Sequence, residues 1–454
     1  VSQFCSELLE RRVVRDANRQ SSPHGYFHWR KTEDMNRLRQ LRIFWIPWAT
    51  TMVLACFSEG VAQTSYKVTD LGAPLNNWNL GCAMALNNHG WTINQEGRNF
   101  NGAPPVTALD TINIGGLKID LGTLGGTNSW MNWGGINDSG EAVGMSETSV
   151  PDPDGEDVCG FGTRLTCRGF LWQNGHMSAL PTLGGNNGSA SDINNRGQIA
   201  GTAETTVPDD SGCLPSNPAK FSLPVLWENG KIQQLPTVDD DPDGLSFAIN
   251  DQGQAVGYSG TCTNAIHALL WENSTAFVLP DLGTGASAHG INNQGQIVGI
   301  IGSADGSTIY GALWQNRVLT NLGTLPGDFA ALATGINSRG QVVGSTLDSS
   351  FSNWLHGFIW QNGVMTDLNT LIPADSNLFI TMANKINERG QISGMATVLS
   401  GPHAGDVHAI LATPVNASIG TSVADVARTH PHSNLPANAG KQLLQRFRVG
   451  RFGQ

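Results

Sequence analysis

The chain has 454 residues and a net charge of −11, with 55 Gly and 13 Trp but only 14% charged residues. That length suits two or three domains or one large repeat protein, and the composition argues against a helical protein and for many short strands joined by tight turns. The charge is uneven, since residues 1–62 carry 9 Lys and Arg against 6 acids, residues 416–454 carry 5 against 1, and residues 63–415 hold −18; a surface that acidic repels phosphate backbones and excludes nucleic acid as a partner of the central region.

In chain order, Met35 is followed by Asn36-Arg37-Leu38-Arg39-Gln40-Leu41-Arg42 and then by an apolar stretch from Ile43 to Phe57. These are the basic and apolar regions of a signal peptide, and Gly60-Val61-Ala62 places cleavage before Gln63. Residues 1–34 then read as an over-extended or disordered leader and residues 35–62 as the signal, so the mature chain is expected outside the cell or on its surface. The apolar stretch is shorter than the roughly 20 residues a membrane span needs, and no other long one follows, so the mature chain is expected to have no transmembrane span. Val53-Leu54-Ala55-Cys56 loosely resembles a bacterial lipoprotein signal, which offers an alternative: a mature chain tethered to the outer membrane through an acylated Cys56.

From residue 66 onward one phrase recurs seven times: Leu86-Asn87-Asn88-His89-Gly90, Ile136-Asn137-Asp138-Ser139-Gly140, Ile193-Asn194-Asn195-Arg196-Gly197, Ile249-Asn250-Asp251-Gln252-Gly253, Ile291-Asn292-Asn293-Gln294-Gly295, Ile336-Asn337-Ser338-Arg339-Gly340 and Ile386-Asn387-Glu388-Arg389-Gly390. The spacing falls in the range of propeller blades. Each phrase lies between two short apolar runs, and its Gly suits the left-handed position of a bulged hairpin, so it reads as the turn between strands one and two. Farther on, Leu171-Trp172-Gln173-Asn174-Gly175, Leu226-Trp227-Glu228-Asn229-Gly230 and Ile359-Trp360-Gln361-Asn362-Gly363 carry an Asn-Gly turn between strands three and four, while Asn273 and Asn316 close the same turn without Gly. A four-stranded meander of this kind cannot cover its own two faces, so the strand-three Trp residues are read as packing between neighbouring blades.

Tyr66-Lys67-Val68-Thr69-Asp70-Leu71-Gly72 resembles a fourth strand with no hairpin before it, and the last repeat stops at strand three, His408-Ala409-Ile410-Leu411. The expected fold is therefore an all-β, seven-bladed β-propeller of four-stranded antiparallel blades over residues 63–415, with its ring closed by the N-terminal strand. Residues 416–454 form a basic tail, read as mostly disordered, with a short amphipathic helix as the alternative. The Ile-Asn-x-x-Gly-Gln-x-x-Gly phrase, with His267-Ala268-Leu269, His356-Gly357-Phe358 and His408-Ala409-Ile410 ahead of the strand-three ends, resembles the HAF-repeat family of probable extracellular bacterial proteins over residues 66–415. No repeat carries all three family letters together, and Arg168-Gly169-Phe170 and Tyr310-Gly311-Ala312 lack the His. The resemblance implies a secreted repeat protein and brings no catalytic residues; the recurring His residues are read as hydrogen-bonding within each blade.

In such a meander the strand 2–3 loops and the 4–1 connections share one face, and long loops on a rigid scaffold are where binding concentrates. The longest loops are acidic, and Asp152, Asp154, Glu156 and Asp157 in blade two with Asp209 and Asp210 in blade three are the candidate ligand-binding residues. Asp239-Asp240-Asp241-Pro242-Asp243-Gly244 matches the first half of a calcium loop, with Asp239, Asp241 and Asp243 as oxygen ligands. Its twelfth position is Asn250 rather than Glu, so a solvated acidic loop is the competing reading and calcium the only cofactor in view. Cys159 and Cys167 flank one loop and are expected to pair, worth roughly 2–3 kcal/mol, with Cys213 and Cys262 pairing between blades and Cys82 left over. Asp192 is the inner-strand acid, with little in the sequence to pair it. The functional expectation is a secreted or surface-exposed binding or scaffold module for an extracellular protein or glycan; the alternatives are a propeller glycoside hydrolase or lyase, which needs two placed carboxylates, and a purely structural surface protein.

Overall fold

The computed structural model describes residues 64–72, 80–98, 107–209, 219–238, 241–261, 264–351 and 353–415. These residues form 28 strands and one short 3-10 turn, Leu368–Thr370. The fold is all-β, and no helix among the described residues is long and apolar enough to cross a membrane.

Every recurrence of the Ile-Asn-x-x-Gly phrase joins the first two strands of an antiparallel meander. In repeat 3, for example, Gly188–Ile193, Ile199–Asp209, Ala219–Glu228 and Lys231–Gln234 pair in that order. Repeats 2, 4, 5 and 6 form separate four-stranded sheets of the same order. The remaining strands belong to an eight-stranded assembly. In it Leu378–Ile386, Ile392–Val398 and Val407–Val415 of repeat 7 are followed by the four strands of repeat 1, joined through a single parallel bridge between Leu80 and Val407. Ser65–Asp70 lies antiparallel on Val407–Val415, from Ser65 opposite Val415 to Asp70 opposite Ile410. The N-terminal strand thus takes the fourth-strand place of repeat 7, with Tyr66 buried.

Backbone demands explain the phrase. Its Gly has φ between +70° and +83° in all seven repeats, a region that costs other L-residues 1–2 kcal/mol. The second Gly, on strand two, has no room for a side chain: a Cβ on Gly257 or Gly344 would sit 1.9 Å from the carbonyl of Leu245 or Leu332. At the outer hairpin Asn174-Gly175, Asn229-Gly230 and Asn362-Gly363 hold positive φ at both positions, as an I′ turn requires, and Asn273-Ser274 and Asn316-Arg317 adopt the same conformation without Gly.

Three of the strand-three Trp residues bridge repeats. The indole N–H of Trp227 donates to the carbonyl of Pro181, Trp271 to Pro236 and Trp314 to Pro280, at 2.7–2.8 Å. Each acceptor belongs to the segment after the fourth strand of the preceding repeat, so a buried ring and its one polar atom are both satisfied across the junction.

Candidate functional site

Among the described residues the longest loop, 152–164 in repeat 2, joins Ala142–Pro151 to Leu165–Gln173. Cys159 and Cys167 form a disulfide at its end, and Phe161 packs edge-on against Trp130 at 5.8 Å. Cys213 and Cys262, expected to pair, lie outside the described residues. Cys82 carries a buried thiol, pushed up to about 12 by burial.

Four carboxylates meet beneath this loop. Asp152 Oδ1 accepts the backbone N–H groups of Asp154 and Glu156, winding the turn around its own carboxylate. The Nδ2 of Asn187 lies 2.9–3.2 Å from four oxygens of Asp152, Glu156 and Glu204, although an amide has only two protons to give. Its Oδ1 is fixed by the Cys167 N–H at 2.8 Å, so the amide cannot be reversed. Asp154 is held by Lys220 and by Asn186. Burial, and then the charges of Glu204 and Asp152, push the Glu156 carboxyl up to about 8. Glu204 is raised as well, chiefly by burial.

Of the acids singled out in sequence, Asp152, Asp154 and Glu156 therefore come together, whereas Asp157 turns to the N–H of Gly162 in its own loop. Asp209 is buried at the end of a strand, opposite Ala219. Asp210, Asp239 and Asp240 lie outside the described residues. The calcium-loop positions that are described each accept from a protein donor through one carboxylate oxygen. Asp241 Oδ2 accepts from Ser259 at 2.6 Å and meets His267 Nδ1 at 2.8 Å, while Asp243, inside a strand, accepts the Ser222 N–H.

Glu204 and Asn187 escaped the sequence reading, although a signal existed. Leu124-Gly125-Gly126-Thr127-Asn128 and Leu183-Gly184-Gly185-Asn186-Asn187 repeat one phrase, and Asn128 binds Glu147 as Asn187 binds Glu204.

The recurring His residues each meet a carboxylate through Nδ1: His267 with Asp241, His356 with Asp328 at 2.7 Å and His408 with Asp70 at 2.9 Å. Burial alone would raise Asp70, but the hydrogen bonds from His408 and the Gly72 N–H hold it below its usual range. At His356, burial works most strongly and lowers the imidazole, but the Asp328 hydrogen bond and the charges of Asp367 and Asp328 together outweigh it, leaving the group raised.

On the side of the phrase turns, the first Asn of every repeat reaches the next. Its Nδ2 donates to the following Asn carbonyl, from Asn87 to Asn137 and on through Asn194, Asn250, Asn292, Asn337 and Asn387, which donates to Asn87, at 2.9–3.2 Å. These turns line a polar cavity of about 180 Å³ that also includes Asp192 and Lys385. Asp192 is not as isolated as its sequence context implied, since it accepts the Ile249 N–H at 3.1 Å. Burial raises its carboxyl while the Lys385 charge opposes the rise.

No protein-family model matches the chain, and no curated protein does. Solved structures similar to it include an acylaminoacyl peptidase (10% identity, 73% of this chain and 58% of that one, TM-score 0.36). The β-propeller domain of the Trilobed protease from Pyrococcus furiosus (10%, 67% and 95%, 0.34) and virginiamycin B lyase from Staphylococcus aureus (10%, 78% and 100%, 0.44) are also similar. The chain spans less than two thirds of the acylaminoacyl peptidase it matches.

Proposed function

We propose that this chain is an exported, seven-bladed β-propeller of the HAF-repeat kind, its ring closed by Ser65–Asp70, and that it serves as a binding module for an extracellular protein. The ring reading is supported by the Asn387 to Asn87 hydrogen bond, which links the last phrase turn to the first. The binding reading rests on the repeat 2 loop. That loop is braced by the Cys159–Cys167 disulfide, Val158 within it and Val150 at the end of the strand before it stand exposed, and Val207 is exposed on the neighbouring repeat. Exposed apolar side chains on an acidic loop suit a partner segment with apolar anchors.

The test has two parts. Mass spectrometry of the exported protein is expected to find Gln63 at the N-terminus; an uncleaved chain that stays inside the cell defeats the export reading. Surface-plasmon screening against extracellular proteins and glycans is then run with the native chain and a Val158→Glu, Asp157→Lys variant. Saturable binding that the variant loses supports the loop. Binding that survives the variant moves the interface elsewhere, and saturable binding to glycans alone replaces the protein reading.

A further inference from the structure

The loop between strands two and three of repeat 7, with the first two residues of strand three, carries His403-Ala404-Gly405-Asp406-Val407-His408. It is a tight, ordered turn: Ala404 N–H donates to Gly401, Asp406 N–H to His403, and Val398 exchanges backbone hydrogen bonds with Gly405 and Asp406. The turn brings a ring nitrogen of His403, a carboxylate oxygen of Asp406 and a ring nitrogen of His408 within 4.8 Å of one another. His403 Nδ1 already lies 3.1 Å from Asp406 Oδ2, close to the roughly 3.3 Å between two ligands of a tetrahedral zinc at 2.0–2.1 Å.

His408 differs from its equivalents in the other repeats. Its Nδ1 faces both oxygens of Asp70, at 3.0 and 2.9 Å, which places the proton on that nitrogen and the lone pair on Nε2. His408 is 7% exposed, and its Nε2 is buried with no hydrogen-bond partner. A buried acceptor left unsatisfied leaves its desolvation penalty uncompensated. At His267 and His356 the same Nδ1–carboxylate pair stands without a second His and Asp beside it, since the described residues contain such a grouping only in the repeat 7 turn.

We propose that His403, Asp406 and His408 form a binding site for a divalent transition metal of the zinc class, with Asp70 as the positioning residue behind His408. A ligating imidazole whose other nitrogen donates to a carboxylate is the usual arrangement at zinc, because the carboxylate fixes the tautomer and raises the ligand's basicity. Two imidazoles and a carboxylate suit zinc better than calcium or magnesium, which take oxygen ligands. Three protein ligands leave the fourth position to water, and His403 is exposed enough to admit it. Because Asp70 ends the strand that pairs with repeat 7, a bound metal also ties the N-terminal strand to this loop. The site stands independently of the binding role proposed for the repeat 2 loop.

The test titrates zinc chloride into the chelator-treated full chain by calorimetry, with cobalt(II) absorbance as a second readout. About one zinc per chain is expected. His403→Ala and Asp406→Asn, both on the surface turn, are expected to weaken binding at least tenfold and to abolish the imidazole-bound cobalt band while the melting transition without metal is kept. Asp70→Asn is expected to weaken zinc by about 10–100-fold without changing the stoichiometry. Zinc binding unchanged in His403→Ala and Asp406→Asn, or no saturable zinc heat in the native chain, overturns the proposal.

Discussion

Truncating Asn387 to Ala tests whether the first and last repeats are joined as the interior ones are. Its side chain is 5% exposed and makes four hydrogen bonds. Nδ2 donates to the Asn87 carbonyl at 3.0 Å and to Gln391 Oε1 at 2.9 Å, and Oδ1 accepts the N–H groups of Arg389 and Gln391 at 3.0 and 2.9 Å. At a net 0.5–1.5 kcal/mol each, less what water returns to an open turn, the loss is about 3 kcal/mol. Asn250 in the array's interior makes the equivalent four bonds, reaching Asn292, and is expected to cost the same. In an open array Asn387 has no Asn87 carbonyl to reach but keeps its three bonds to Arg389 and Gln391, so its truncation costs less by the share of one bond, about 1 kcal/mol. Urea unfolding followed by tryptophan fluorescence gives both values, compared at equal m so that the same cooperative unit is measured. Asn387→Ala that costs about 1 kcal/mol less than Asn250→Ala, near 2 against 3 kcal/mol, refutes the joined ring.

Three further outcomes are expected. A chain starting at Ala73 loses the Ser65–Asp70 ladder, buried Tyr66 and the Asp70 partner of His408; its melting transition is expected to fall or broaden, and an unchanged transition by calorimetry rejects the clasp. Ser274→Gly relieves a residue at φ +64°; the strain of about 1–2 kcal/mol outweighs the entropy cost of glycine of about 0.5–1 kcal/mol, so the variant is expected to be slightly more stable, and a loss in urea midpoint contradicts this. Glu156 in the folded chain holds its proton up to about 8, against an ordinary 4.5. The folded state therefore binds more protons than the unfolded one between those values, and stability falls as pH rises from about 4.5 through about 8. Glu156→Gln is expected to flatten that slope in melting scans, and an equal slope in both chains dismisses the buried-carboxyl argument.

What was legible in the sequence was whatever a single turn demands of its own residues. Gly90 and its equivalents answer a positive φ, Asn174-Gly175 answers an I′ turn, and Cys159 and Cys167 bracket one loop; in each case the constraint is local. The recurring Asn was visible as a marker, but its reach was not, because the acceptor of Asn87 lies 50 residues away and that of Asn387 lies 300 away. The same distance hid Asn187 and Glu204 from the acidic loop they join. By run composition Asp239-Asp240-Asp241-Pro242-Asp243 looks richer in cation ligands than His403-Ala404-Gly405-Asp406-Val407-His408. Charge density along a chain counts carboxylates without saying which already have donors. Asp241 is engaged by Ser259 and His267, whereas His408, outwardly one more copy of a recurring His, is the one whose second nitrogen is buried without a partner. In a repeat protein most copies of a residue serve the scaffold, so a functional position is found where one copy keeps the shared contact and has an atom left over.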